Sequence, residues 1–139
     1  MNEPPPAPAA GSLVGLHHVQ LAVPAGAEGV AEGFYGDLLE LVRVEKPVAL
    51  AGRGGAWFRA PGGSPEVHLG VEEPFVPARK AHPAFEVQGI DALADRLASA
   101  GVAIVWDEAD VFPGRRRFHA ADPFGNRLEF VETEPTTDP

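Results

Sequence analysis

The sequence contains no cysteine among its 139 residues. This absence excludes a disulfide framework, a thiolate zinc site and a cysteine nucleophile. No run approaches the roughly 20 consecutive apolar residues that a membrane-spanning helix requires. Residues 1–12 have neither the basic start nor the apolar centre of a secretory signal. We therefore expect a cytoplasmic protein that has no membrane partner.

Basic residues are also scarce, with 11 Lys and Arg against 20 Asp and Glu, for a formal net charge of -9. A negative field of this kind repels the phosphate backbone, so we expect no nucleic-acid partner. Apolar residues make up 45% of the chain and charged residues 22%, which is typical of a globular domain. These proportions leave a small-molecule substrate or ligand as the expected partner.

Two tails flank one body. Residues 1–12 contain four prolines and little that can pack, which predicts a disordered tail. Residues 132–139 are acidic and rich in Thr and Pro, which predicts a second tail. The body between them, residues 13–131, is expected to form a single domain.

The first half of the body has the hydrophobic periodicity of a strand, a helix and further strands. The segment LHHVQLAV alternates apolar and polar residues, as a half-buried strand does, and the next segment carries an apolar stripe at helical spacing. Short strands follow, and a turn at PGGSP precedes the last of them. The predicted elements are a strand at Leu16–Val23, a helix at Ala27–Leu41, and strands at Val42–Val44, Val48–Leu50, Ala56–Ala60 and Glu66–Val71.

The second half repeats this order. A strand at His82–Val87 precedes a helix that Asp91 is expected to cap and Gly101 to end. Strands are predicted at Ala103–Trp106, Arg116–Ala120 and Arg127–Val131. The body therefore reads as two modules, at about 13–75 and 79–131, each a strand, a helix and further strands. Aligning the modules pairs His18 with His82 and His68 with Glu129.

The four paired residues share a face. In each of their strands the apolar alternates point toward the helix, so His18, His68, His82 and Glu129 point to the opposite face. Imidazole nitrogens and a carboxylate oxygen suit a borderline divalent cation: Zn, Fe, Mn, Ni or Co. One histidine on a strand is more often an ordinary hydrogen-bonded residue, but four candidates at matching positions favour a metal site.

The segments LHHVQLAV, FYGDLLEL, AHPAFEV and DPFGNRLEF resemble the vicinal oxygen chelate superfamily. This superfamily includes glyoxalase I, bleomycin-resistance proteins, fosfomycin-resistance transferases and extradiol dioxygenases. The resemblance implies an α+β fold of two βαβββ modules whose curled, mixed sheets surround a cleft. It also implies metal ligands on the first and last strands of each module, which fall on His18, His68, His82 and Glu129.

The same resemblance implies a reaction class. A substrate with two adjacent oxygens would chelate the metal, which would act as a Lewis acid in a glyoxalase-type lyase or isomerase. Glu129 is the candidate catalytic residue, as ligand and base together. The candidate substrate-binding residues are Gln20, Trp57, Arg117 and His119. For Arg117 the alternative is an ion pair with the acidic residues just upstream, and for Gln20 a polar filler.

Two other functions remain open. Bleomycin-type proteins share the fold and bind small molecules without turnover, and extradiol dioxygenases use Fe(II) held by two histidines and a carboxylate. The only tyrosine, Tyr35, falls in the predicted helix, which argues against ring cleavage. Because members of the superfamily commonly pair by two-fold symmetry, we expect a homodimer. Whether one chain completes its own cleft stays open at this point.

Overall fold

The computed structural model describes residues 3–108, 111 and 113–133. Within them the chain forms two four-stranded mixed sheets and few helices, and neither sheet closes into a barrel. This confirms the predicted α+β class. The strands are β1 (Val19–Val23), β2 (Val42–Val44), β3 (Ala56–Arg59), β4 (Glu66–Val71), β5 (Ala84–Val87), β6 (Val105–Trp106), β7 (Arg117–Ala121) and β8 (Arg127–Glu132).

The two sheets have the same topology. The strand orders are β1-β4-β3-β2 and β5-β8-β7-β6. In each sheet the first strand of the module lies at the edge, and it runs parallel to the last strand, which lies next to it inside the sheet. Gln20 lies opposite His68 in the first sheet, and Ala84 lies opposite Glu129 in the second. The position two residues before each is His18 or His82. These registers are equivalent, as the alignment of the two halves predicts.

The first helical segment differs in detail from the predicted helix. It begins as α1 (Glu28–Ala31) and continues as a π-helical turn at Glu32–Leu38. The second helix, α2, spans Ile90–Ser99. Its N-cap is Gly89 in the left-handed region, so the prediction that Asp91 caps it is wrong. Asp91 lies inside the first turn and pairs with Arg116 instead.

The predicted strand at Val48–Leu50 is also wrong. The segment Val48–Arg53 is a 3₁₀ helix that follows Pro47, and the amide of Leu50 donates to the Pro47 carbonyl at 2.8 Å. Val48 is 94% exposed. The alternation of Val48 and Leu50 therefore reflects no sheet pairing, and the first module keeps three strands after its helix, as the second does.

The core lies on the helix side of both sheets. Val67, Leu69, Leu128 and Phe130 are at most 2% exposed and pack with the helices, as the alternation predicts. Burial of such side chains contributes roughly 1.5–3 kcal/mol each relative to exposure. Phe58 is fully buried in this core, whereas its neighbour on β3, Trp57, points to the opposite face. That opposite face carries Trp57 and the polar side chains of the candidate site.

Polar contacts connect the modules. The Tyr35 hydroxyl donates to the carboxylate of Asp122 at 2.6 Å, and the Asn126 amide donates to the carbonyl of Ala22 at 2.8 Å. Asp122 also accepts from the backbone amides of Phe124 and Asn126, which fixes the turn before β8. The first strand of one module and the last strand of the other are thereby held in place around the space between them.

The tails are described in part. Residues 3–12 lie on the surface, and Glu132, which the sequence assigns to the acidic tail, belongs to β8. The other parts of the predicted tails, 1–2 and 134–139, lie outside the described residues. No helix in the described part of the chain is long and apolar enough to cross a membrane.

Candidate metal centre

Three side chains of the second module converge on one point. His119 and Glu129 are directly paired across β7 and β8, and His82 lies just before β5, which runs beside β8. The Oε1 atom of Glu129 is 2.9 Å from Nε2 of His82 and 3.2 Å from Nε2 of His119. The candidate ligand atoms of these three residues all lie within 4.8 Å of one another. We call this group the second-module triad.

The orientation of the His82 ring favours metal binding. Its Nδ1 atom lies 2.6 Å from the backbone carbonyl of Lys80. A carbonyl can only accept, so Nδ1 carries a proton and donates it there. The ring is thereby oriented with Nε2 toward Glu129, which is the arrangement that outer contacts impose on metal-binding histidines.

Glu129 is held as an anion. Burial raises the pKa of its carboxyl, but the hydrogen bond from His82 and the positive charge of Arg117 outweigh burial and hold this pKa below its usual value. The guanidinium of Arg117 donates from Nη1 to Oε2 of Glu129 at 3.2 Å, and its Nε donates to Asp107. One carboxylate oxygen therefore faces the two histidines, and the other is held by Arg117.

His119 is held in the state that binds metals. Burial lowers the pKa of its imidazole, and the nearby charge of Arg127 lowers it further, against the attraction of Glu129. A lowered pKa keeps the ring neutral at neutral pH, with a lone pair available for coordination. Two imidazole nitrogens and a carboxylate oxygen fit a borderline divalent cation well.

The first module carries a different cluster, which we call the stacked column. The ring of His68 lies between Trp57 and His18, with ring centroids 3.7 Å and 3.9 Å away. His68 Nε2 is 2.9 Å from Oε1 of Glu66, and the second oxygen of Glu66 accepts from Arg59 at 3.0 Å. Burial lowers the pKa of His68, and the hydrogen bonds from Arg59 and His68 lower the pKa of Glu66 to about 2.

The four predicted ligands thus fall into two pairs. His82 and Glu129 meet in the second-module triad, and His18 and His68 meet in the stacked column. Among the residues that the structure describes, only the triad brings three candidate ligand atoms together. A common centre for all four residues stays a prediction.

A cleft between the modules is lined by residues of both clusters. This inter-module cleft has a volume of about 710 Å³, and its walls include His18, Gln20, Glu66, His82 and Arg127. A second cavity of about 590 Å³, the β6–β7 groove, is lined by Pro77, Val105, His119 and Ala121 and again by Arg127. The predicted contact residue Gln20 therefore lines the cleft, whereas Trp57 stacks on His68 and lines a separate cavity with Arg43 and Lys46. Their contact with a substrate is untested.

Sequence reasoning placed His119 in the cleft but not among the ligands. The signal that finds it is the register of the hairpin, because the turn at DPFGN brings β7 and β8 together with His119 opposite Glu129. The alternative reading of Arg117 was an ion pair with upstream acids, and it does pair with Asp107. Its additional bond to Glu129 has no counterpart in the linear pattern.

Duplicated βαβββ modules around a cleft, with two imidazoles and a carboxylate on the inner face, define a class of metal-binding folds. The sequence pattern of the Glyoxalase/Bleomycin resistance protein/Dioxygenase superfamily matches residues 15–130 of this chain. The chain belongs to this superfamily, as its sequence motifs imply. None of the functionally curated proteins matches its sequence.

Solved structures agree with this assignment. A glyoxalase family protein from Bacillus anthracis is 41% identical, with a TM-score of 0.81 over 91% of this chain and 100% of that one. A glyoxalase/dioxygenase from Nostoc punctiforme is 24% identical, with a TM-score of 0.69 over 96% and 99%. The fosfomycin resistance protein FosX from Listeria monocytogenes is 16% identical, with a TM-score of 0.63 over 91% and 97%. The last two show the fold alone.

Proposed function

We propose that this protein is a divalent-metal-dependent enzyme of the glyoxalase type, a lyase or isomerase whose small substrate carries two adjacent oxygens. The observation that carries the proposal is the convergence of His82, His119 and Glu129 within 4.8 Å. Membership of the superfamily and the similarity to a glyoxalase family protein support it. When bound, a divalent cation supplies Lewis-acid polarisation of a chelated substrate oxygen.

The residues of the chain divide the work. His82 and His119 would hold the cation through Nε2, and Glu129 through Oε1, while Arg117 keeps Oε2 in place. The lowered pKa of Glu129 favours its role as ligand over its predicted second role as base. The walls of the inter-module cleft would exclude water from the substrate on one side and position it with Gln20 on the other.

Two further points belong to the proposal. The first is that the stacked column completes the ligand set, and the second is that two copies of the chain form a dimer. His18 and His82 line the same cleft of one chain, which supports completion of the ligand set by His18 and His68 without a partner. We also propose a homodimer, whose mass sedimentation analysis would report. Mixing His18→Ala and His82→Ala chains separates the two arrangements, because metal binding would recover in the mixture only if the copies share a site.

Metal content tests the main proposal. The protein is purified without chelator, its metal is measured by mass spectrometry, and Zn, Mn, Ni, Co and Fe(II) are titrated. We expect one ion per chain, lost in His119→Ala and His82→Ala. Arg53→Ala is the control, since it removes an exposed side chain outside the triad and outside the inter-module cleft. Failure of all five ions to bind at micromolar concentration would overturn the proposal.

An extradiol dioxygenase is the second candidate, because two histidines and one carboxylate are the Fe(II) ligand set of that class. Against it, the hydroxyl of Tyr35 is buried and bonded to Asp122, away from the triad. Oxygen uptake with catechol after loading with Fe(II) decides between the two. We expect no uptake. A non-enzymatic small-molecule binder would instead show tight ligand binding and no conversion with any metal.

A further inference from the structure

The two cavities beside the triad meet at one arginine. Arg127 lines the inter-module cleft together with His82 and lines the β6–β7 groove together with His119. It lies two residues before Glu129 on β8, so both side chains leave the same face of the sheet, about 7 Å apart along the strand. A molecule held at the triad would therefore reach Arg127 from either cavity.

Arg127 differs in its pairing from the other arginines of the β-strands, Arg43, Arg59 and Arg117. Six arginines of the described chain form ion pairs with carboxylates: Arg43, Arg59, Arg96, Arg115, Arg116 and Arg117. Within the described ranges no carboxylate lies within ion-pair distance of Arg127, although the protein has 20 acidic residues. It is nevertheless half-buried, whereas Arg53 and Arg79, which also have no such partner there, are exposed.

The internal repeat makes this charge specific to the second module. The position two residues before the last candidate ligand is Glu66 in the first module and Arg127 in the second. Glu66 is neutralised by Arg59 at 3.0 Å. The strand position opposite Arg127 is Ala121, which has no charge to offer. In the first module the charge at this position is thus paired with Arg59, whereas in the second module the positive charge of Arg127 lines the cleft.

The geometry points to Arg127 as the binding site for an anionic oxygen group on the substrate, a carboxylate or a phosphonate, attached close to the two oxygens that reach the triad. This inference rests on the proposed function and adds the substrate's charge to it. A guanidinium donates two parallel hydrogen bonds to such a group, which gives it direction as well as attraction.

Three probes with one chelating group test the inference. Acetohydroxamate, malonomonohydroxamate and phosphonoacetohydroxamate share two adjacent oxygens and differ in carrying no further charge, a carboxylate or a phosphonate. Each is titrated into the Co²⁺-loaded protein, and the visible spectrum of the cobalt reports chelation. We expect the two anionic probes to bind the wild type about tenfold or more tightly than acetohydroxamate, which corresponds to one charge-assisted pair. The stronger of the two identifies the anionic group.

Arg127→Gln should remove this preference and leave acetohydroxamate binding unchanged. Arg127→Lys, which keeps the charge without the fork, should retain part of it and guards against a folding defect in the glutamine variant. Arg53→Gln is the matched control, because it removes an equal charge from an exposed site outside both cavities. Equal affinity of the wild type for all three probes, or an unchanged preference in Arg127→Gln, would overturn the inference.

The cobalt titration separates this failure from that of the proposed function. Wild-type protein that binds cobalt but shows no preference among the probes overturns the anion site alone. Wild-type protein that binds no cobalt overturns the proposed function and, with it, the anion site that depends on it.

Discussion

His119 and Glu129 face each other across the β7–β8 hairpin, with Nε2 of His119 3.2 Å from Oε1 of Glu129. The equivalent pair in the first module is Trp57 and His68, whose rings are stacked with centroids 3.7 Å apart. The same pair of opposed strand positions thus holds a polar contact in the second module and stacked rings in the first. The two modules have diverged in chemistry while keeping the same register.

Arg117 is expected to strengthen metal binding without contacting the metal. Its guanidinium holds Oε2 of Glu129 and is itself held by Asp107, so it fixes the direction of Oε1. Arg117→Met should weaken metal affinity about 10–100-fold, which is the usual effect of losing such an outer contact. Asp107→Asn should act in the same direction but less strongly. Competition with a chromophoric chelator measures the dissociation constants.

The neighbouring Arg116 supplies the control for this experiment. Its guanidinium pairs with Asp91 on α2 at 2.8 Å, outside the triad, and its removal should leave metal affinity at the wild-type value. An equal loss in Arg116→Met and Arg117→Met would show a general effect of surface charge and contradict the positioning role. Partial recovery in Arg117→Lys would support it.

Tyr35 is expected to contribute to stability and not to the site. Its ring is fully buried, its hydroxyl donates to Asp122 at 2.6 Å, and burial followed by the charge of Asp122 raises the pKa of the phenol well above its usual value. Tyr35→Phe removes one hydrogen bond to a carboxylate and should lower the free energy of unfolding by about 1.5–3 kcal/mol. Urea denaturation measures this loss.

Metal binding provides the second measurement on Tyr35→Phe. Because the tyrosine lies on the helix side of the sheets, the Tyr35→Phe variant should bind the same ion with the same affinity as the wild type. A variant that keeps its stability but loses the metal would contradict this placement and would bring Tyr35 into the site.

The face on which each candidate residue lies could be predicted from the sequence. Alternation along a strand fixes which side chains share a face, and the burial of Leu69 and Phe130 is the other side of the same pattern. The internal repeat added which positions correspond in the two sheets. These two signals sufficed for the order of strands and helix in each module and for placing His82 and Glu129 on the same face, whereas the α+β fold around a cleft followed from the resemblance to the superfamily.

Alternation of apolar and polar residues gave a wrong strand prediction where no partner strand lies alongside. Val48–Leu50 alternates as a strand does, but the proline before it leads into a 3₁₀ helix on the surface. A linear pattern likewise does not predict the distances between side chains on different strands. The approach of His119 to Glu129 depends on the hairpin register, and the bond from Arg117 to the far oxygen of Glu129 depends on side-chain reach across that hairpin.

Glu66 is expected to make stability depend on acid pH. Its folded-state pKa is about 2, because the hydrogen bonds from Arg59 and then His68 favour the carboxylate, against an ordinary value of 4.5. A depressed pKa contributes stability that is fully present above the unfolded value and lost as the pH falls toward the folded one. The loss due to this group therefore lies between pH 4.5 and about 2.

Urea denaturation at a series of pH values should show this contribution as a difference between variants. Glu66→Gln has no carboxylate that can take up a proton, so its free energy of unfolding should fall less between pH 4.5 and 2 than that of the wild type. Some fall will remain, because Glu28, Asp91 and Glu129 also have lowered pKa values. Glu3→Gln, at an exposed residue of the N-terminal segment, should follow the wild type. Parallel curves for Glu66→Gln and the wild type would mean that the contact with Arg59 and His68 does not favour the charged carboxylate.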